Sequence, residues 1–385
     1  MSRMKSPNQS HFSQVPQANI TRSSFDRSCG YKTTLNSSYL IPFYVDEALP
    51  GDSFKLNASL FARLSTPLKP IMDNMRMSSF FFSVPNRLIW DNWQRFQGEQ
   101  DDPDDSTDFL VPRLTGAHIA AGSVLDYMGI PPGTDPEIVT LSALPLRAMN
   151  LIYNEWFRDE NLQDSVTVKK DDTADPITNY ELLRRGKRHD YFTSCLPAPQ
   201  KSDAITIPLG GFAPVTGNIT TTSLSPQFKT ENGSVNDLYL SAGTDQAARW
   251  SQPGGDQLVA FSENTGLELT GGTADLSLAT AVTINALRES FAIQRIFEKD
   301  MRSGTRYIEI VKSHFGVTSP DLRATRPEYL GGTTTPLNVQ PVASTYAGQD
   351  QPQGQLAGIG TAIGSGHGFT KSFTEHCTIL GFISI

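Results

Sequence analysis

The chain has 385 residues, 19% of them charged, with 30 Gly and 25 Pro. This suits one large domain with insertions, or two domains, and favours turns and short strands over long helices. No apolar run reaches the length of a membrane span, no signal peptide is recognisable, and three widely spaced cysteines (Cys29, Cys195, Cys377) exclude a disulfide framework and fit a reducing compartment.

Net charge is −8 but unevenly placed. Residues 1–37 hold Arg3, Lys5, Arg22, Arg27 and Lys32 against Asp26 alone, a net of +4, which leaves −12 for the rest. A basic tail on an acidic body suits a polyanion, and these five cations are the candidate nucleic-acid-facing residues. The tail is polar and lacks core residues, so it is expected to be an extended arm.

Three apolar runs follow, each closed by a turn signal. Tyr39–Val45 is β-branched and aromatic and ends at Leu49-Pro50-Gly51-Asp52. Then Phe54, Leu56, Ala58, Leu60, Ala62 and Leu64 alternate, which predicts a strand with one buried side. Met75–Val84 contains Phe80, Phe81 and Phe82 in succession. Adjacent side chains of a strand point to opposite faces, so both faces of this strand are predicted to be covered. A helix is expected over residues 85–96, with Leu88, Ile89, Trp93 and Phe96 along one side.

The acidic run Glu99, Asp101, Asp102, Asp104, Asp105 lacks the Gly and distal Glu of a calcium loop and reads as solvated. Residues 122–128 read as a short helix. Leu144–Asn161 reads as a firmer one, with Ser142 as N-cap, Pro145 in the first turn and a core stripe of Met149, Ile152, Tyr153, Trp156 and Phe157. Arg184, Arg185, Lys187 and Arg188 form the densest basic patch, read either as phosphate-facing or as the cationic end of a helix. Strands are expected at 191–196 and 205–209.

Residues 218–275 shift to Gly, Thr, Ser, Asn and Gln and read as a surface insertion with strand-like pieces at 237–240, 257–261 and 267–269. Helices are expected at 284–301 and 306–315, and strands at 337–342 and 377–385. The segment from Gly364 to Ser372 fails as a phosphate loop because two residues separate Gly368 from Lys371. His367 and His376 match no zinc spacing, and no nucleophile–base–orienter set can be assembled. The residues therefore imply no enzyme, no metal site and no cofactor.

The strings LIPFYVDEALPGD, MDNM, VPNRLIWDNW, ALPLRAMNLIYNEWFRDENLQDSV, RYIEIVKSHFGVTSPDLRATRPEYLGG and GSGHGFTKSFTEH resemble the major capsid protein of the microviruses, in particular the gokushovirus branch. The resemblance implies a mainly β fold, a viral jelly roll (antiparallel β-sandwich or barrel) with inserted helices and long loops. It implies a structural subunit of an icosahedral shell of sixty copies around a single-stranded DNA genome, assembled in the bacterial cytoplasm and located in the virion. The implied partners are other copies of the chain, an internal scaffolding protein, a pilot protein, a small basic DNA-binding protein and a host surface receptor. The expected organisation is an arm (1–37), a first part of the jelly-roll body (38–217), an insertion (218–275) forming a threefold protrusion, and a second part of the body (276–385). The body is expected to be C-terminally incomplete, leaving Cys377–Ile385 with an unpaired apolar edge. The rival class is a β-rich carbohydrate-binding module or an enzyme with a cleft built from loops; it leaves the basic arm and these strings unexplained.

Overall fold

The computed structural model describes residues 21–65, 71, 74–186, 188–206, 283–318, 324–343, 345–349, 353–354 and 356–385, with short strands between 215 and 274. The chain divides into two units, residues 1–197 with 316–385, and residues 198–315.

In the first unit β1 (Ile41–Ala48), β2 (Ser53–Arg63) and β3 (Met75–Pro85) follow one another. After them come α1 (Trp93–Phe96), β4 (Leu114–Thr115), α2 (Val124–Tyr127), α3 (Leu144–Ile152) and β5 (Asp175–Pro176). The second unit holds β6 (Val215–Thr216), β7 (Gln227–Lys229), β8 (Val235–Leu240), β9 (Ala248–Trp250), β10 (Gln257–Leu258) and β11 (Thr273–Ala274). It also holds α4 (Ile284–Ser303) and α5 (Tyr307–Phe315). The chain returns to the first unit with β12 (Glu328–Gly331), β13 (Thr334–Ala343), β14 (Leu356–Ser372) and β15 (Cys377–Ser384).

The main sheet is antiparallel, in the order β1-β15-β3-β13-β14-β2, with β12 also on β3. Five strand spacings separate β1 from β2, about 24 Å in a flat sheet. The four-residue link between them reaches at most about 18 Å. The sheet therefore curls. The bend lies in β13, whose Thr334–Leu337 pair with β3 and whose Asn338–Ala343 pair with β14. The result is two leaves of an antiparallel sandwich, in keeping with the jelly roll implied by resemblance.

Phe81, Ile379, Ile41, Met77 and Ile383 fill the space between the leaves, against Phe54, Leu56, Leu60, Ala362 and Phe369. Phe82, Val84, Leu380 and Phe382 face the other way, with Phe80, onto α3 and the Trp90–Trp93 segment. The three consecutive phenylalanines thus serve two cores, as alternation requires. On β2 the expected even-numbered side faces inward, and the odd-numbered side is exposed throughout.

Several expectations are corrected. Cys377–Ser384 is no edge: it lies between β1 and β3 and is buried along its whole length. The helix expected over 85–96 is broken into a 3-10 turn (Asn86–Leu88) and α1. The break holds because the Asp91 N–H donates to the Lys170 carbonyl, and Trp90 and Asn92 donate side-chain N–H groups to Asp172. Past Ile152 the helix α3 widens into a π-turn over Tyr153–Phe157 and stops there. Residues 191–196 form turns, and 205–206 carry no strand, while 207–209 lie outside the described residues.

Strands β12 and β14 carry no clear signal in the sequence. Glycine hides β14, yet the strand needs it: a Cβ on Gly368 would stand 2.0 Å from the Leu56 carbonyl oxygen, and one on Gly360 2.8 Å from Leu64 Cβ. The insertion expected over 218–275 lies mostly outside the described residues; the unit around it is wider and takes in α4 and α5.

Candidate functional site

The sequence-predicted basic residues are placed as follows. Arg3 and Lys5 lie outside the described residues, as does Lys187. The arm from residue 21 is extended, exposed and laid along the body. Arg22 donates to the carbonyls of Gly51 and Pro50 and stands 3.5 Å from the Asp52 carboxylate. Arg27 pairs with Asp46 at 2.7 Å, and Tyr31 donates to the Tyr127 carbonyl at 2.9 Å. Tyr127 in turn donates to the Thr34 carbonyl. Lys32 is exposed. The side chains of Arg22 and Arg27 both remain 64% exposed, so each keeps donors facing solvent.

The second basic patch is not a helix end. Residues 181–186 are extended, bridged to the chain at Tyr39. Arg184 lies over the Tyr39 ring at 5.2 Å and Arg185 over the Phe80 ring at 4.7 Å. Burial lowers the pKa of Arg185, with the nearby Arg188 adding to the shift. Arg184 and Arg185 thus set their planar groups on aromatic rings, while Arg188 is exposed and donates to the Thr334 hydroxyl.

The segment from Gly364 to Ser372 is the interior of β14. Its His367 is fully buried in a bulge, with Gly366 at φ +78°. Nδ1 meets Ser79 Oγ at 2.5 Å and Nε2 meets Thr335 Oγ1 at 3.0 Å. Burial lowers its pKa, which keeps the ring neutral. The site ties β14 to β3 and β13 at the bend.

The acidic run near residue 100 is exposed, with Asp101 held by Arg95 at 3.0 Å. Among the described residues no cluster of three or more His, Cys, Asp or Glu could hold a metal ion.

One polar constellation was missed from sequence. Arg147 and Asp175 are both fully buried and meet in a two-pronged pair, Nε to Oδ2 at 2.7 Å and Nη2 to Oδ1 at 2.9 Å. Remaining Arg147 donors reach the carbonyls of Ile89, Asp171 and Thr173, and Tyr180 donates to Asp175. Burial alone would raise the Asp175 pKa, but the hydrogen bonds from Arg147 and Tyr180 outweigh it and hold the carboxyl below the usual range. This group locks α3 to the loop after residue 170. The available signal was a lone charged residue, Arg147, inside a largely apolar helix.

These arrangements brace a sandwich. They do not converge on a reacting group. Residues 13–385 match the family described as "Capsid protein (F protein)". The chain belongs to that family. It is 45% identical to the capsid protein VP1 of Bdellovibrio phage phiMH2K, across 98% of this chain and 71% of that one. It is 39% identical to the capsid protein VP1 of Chlamydia phage 1, across 97% and 72%. It is 32% identical to the capsid protein VP1 of Spiroplasma virus 4, across 90% and 66%. The resemblance read from the sequence strings is therefore upheld. As a capsid protein the chain has a structural role and is located in the virion. Among the described residues no helix is long and apolar enough to cross a membrane.

Proposed function

We propose that this capsid protein self-assembles into a closed icosahedral shell of sixty copies around a single-stranded DNA genome, and that it contributes to host attachment. The family match over residues 13–385, on a curled antiparallel sandwich, supports this reading. A braced sandwich is a rigid building block whose loops are free to make contacts. In this reading the chain acts by assembly, with no catalysis and no cofactor. An internal scaffolding protein, a pilot protein and a small basic DNA-binding protein complete the particle, and segment 218–275 presents the surface for the host receptor. The rival reading, a carbohydrate-binding module or cleft enzyme, leaves the family match without a cause.

The arm is the proposed genome contact, through Arg3, Lys5, Arg22, Arg27 and Lys32. Phosphate contacts are electrostatic and need no sequence. The test is isolation of virions, with this chain measured as the dominant shell protein and the particles imaged in negative stain. Absence of the chain from the particles, or its presence in only a few copies, refutes the reading.

A further inference from the structure

The main sheet has two outer strands, and the molecule treats them differently. On β1 the outer strand carries Pro42 and a bulge between Pro42 and Tyr44, and its charged Asp46 is covered by Arg27 of the arm. These devices stop a strand from pairing further. On β2 only the charges of Lys55 and Arg63 are of this kind. Its eleven residues, SFKLNASLFAR, contain no Pro, Gly or bulged residue on their own strand, and among the described residues β2 pairs only with β14. A row of backbone N–H and C=O groups along its other edge has no strand partner there.

The side chains beside that edge are chemically specific. The outward face of β2 carries Lys55, Asn57, Ser59, Phe61 and Arg63, with no carboxylate, in a protein of net charge −8. Phe61 is 70% exposed and lies opposite Ile363 of β14, which is 74% exposed. Phe61 and Ile363 thus form an exposed aromatic–aliphatic pair beside this edge.

We infer that β2 is an interface between two copies of this chain, in which the free edges of the two β2 strands pair antiparallel about a twofold axis through Ala58. The partner is a second copy because the strand can face itself in a register, centred on Ala58, that opposes no like charges and gives Lys55 an aromatic partner. A twofold contact sets each residue against another of the same strand. Centred on Ala58, Lys55 lies opposite the partner's Phe61, a cation over an aromatic face, and Asn57 lies opposite the partner's Ser59. Inside, Leu56 meets the partner's Leu60, and Phe54 meets the partner's Ala62. Moving the centre by one residue to Ser59 would set Lys55 against the partner's Arg63, two like charges directly opposed. Backbone bonds would supply affinity, and these side chains the register. The inference rests on the proposed shell only in that the shell places further copies at hand.

The test is sedimentation of the purified 385-residue chain over a range of concentrations. The wild-type chain should form a dimer. Phe61→Lys, placed on the solvent face, sets two lysines against each other twice and should weaken the dimer at least roughly tenfold. Adding Lys55→Glu should restore it, because the introduced carboxylate then faces the introduced ammonium of the other copy across the axis. A damaged fold would not be rescued by a second surface charge. Hydrogen exchange gives a reading without substitutions: amides of residues 53–63 should gain protection as concentration rises. A monomeric wild type, an unweakened Phe61→Lys dimer, an unrescued double variant, or exchange in β2 independent of concentration overturns the interface. Particles recovered from virions would leave the shell reading standing in each of these cases.

Discussion

Asp175→Ala removes the anion from the buried Arg147 pair. The guanidinium then keeps its three carbonyl partners and the more exposed Asp171 carboxylate at 3.7 Å, but it loses its buried counter-charge. Removing one member of a buried pair costs about 3–5 kcal/mol, and the Asp171 carboxylate sets the expected loss at the lower end of that range. The loss falls on α3 and the Trp90–Trp93 segment, which share one core with the β3–β15 face. Because the chain has two units, the readout should be local: tryptophan fluorescence in urea, with hydrogen exchange at residues 144–152. Both should show opening of this region well before the rest of the sandwich. Arg147→Met with Asp175→Leu should recover part of the loss, since an apolar pair needs no counter-charge, while the Tyr180 hydroxyl and the three carbonyls lose partners. The pH dependence has a definite sign. Asp175 is held below its unfolded value of about 3.9, so its contribution is complete above that pH and is lost as pH falls through the folded value. The Asp175→Ala chain should lack this acid limb. A variant within about 1 kcal/mol of wild type would show that the pair is not what anchors the helical insertion.

Phe81→Ala empties the centre of the inner core and should cost about 3–5 kcal/mol in a urea melt, more than Phe61→Ala on the exposed face, which should lie within about 0.5 kcal/mol. Gly368→Ala forces β14 away from the Leu56 carbonyl and should lower the thermal midpoint by the equivalent of about 1–3 kcal/mol; an unchanged midpoint would mean that the strands can shift freely. His367 is kept neutral by burial, so its contribution is complete above about pH 6.5 and is lost as pH falls towards its lowered value; an imidazole titration by NMR that shows no depression refutes this. Replacing Arg3, Lys5, Arg22, Arg27 and Lys32 by Gln should reduce DNA per particle and flatten the salt dependence of genome retention, and normal packaging would exclude the arm as a genome contact.

Much of the body was legible because its signals are local. The alternation in β2, the triple phenylalanine of β3 and Pro145 in the first turn of α3 each depend on neighbours within a few residues. The family strings carried the role for the same reason, being long contiguous matches. What escaped depended on distant partners. Strand β14 looks unlike a strand, since glycine has poor strand propensity, and only the facing carbonyl of Leu56 explains Gly368. Asp175 is an ordinary loop carboxylate until α3 brings Arg147 to it. His367 matched no ligand spacing and had no assigned role until Ser79, 288 positions away, was placed on its ring. By itself the sequence determined that β1, β2, β3 and β15 extend, that α3 and α4 coil and which side of β2 is apolar, because those follow from side-chain spacing along the chain. Only the tertiary structure decided that β15 is central, that β13 bends between two leaves and that β2 is an outer strand, because strand order is set by hydrogen bonds between residues hundreds of positions apart.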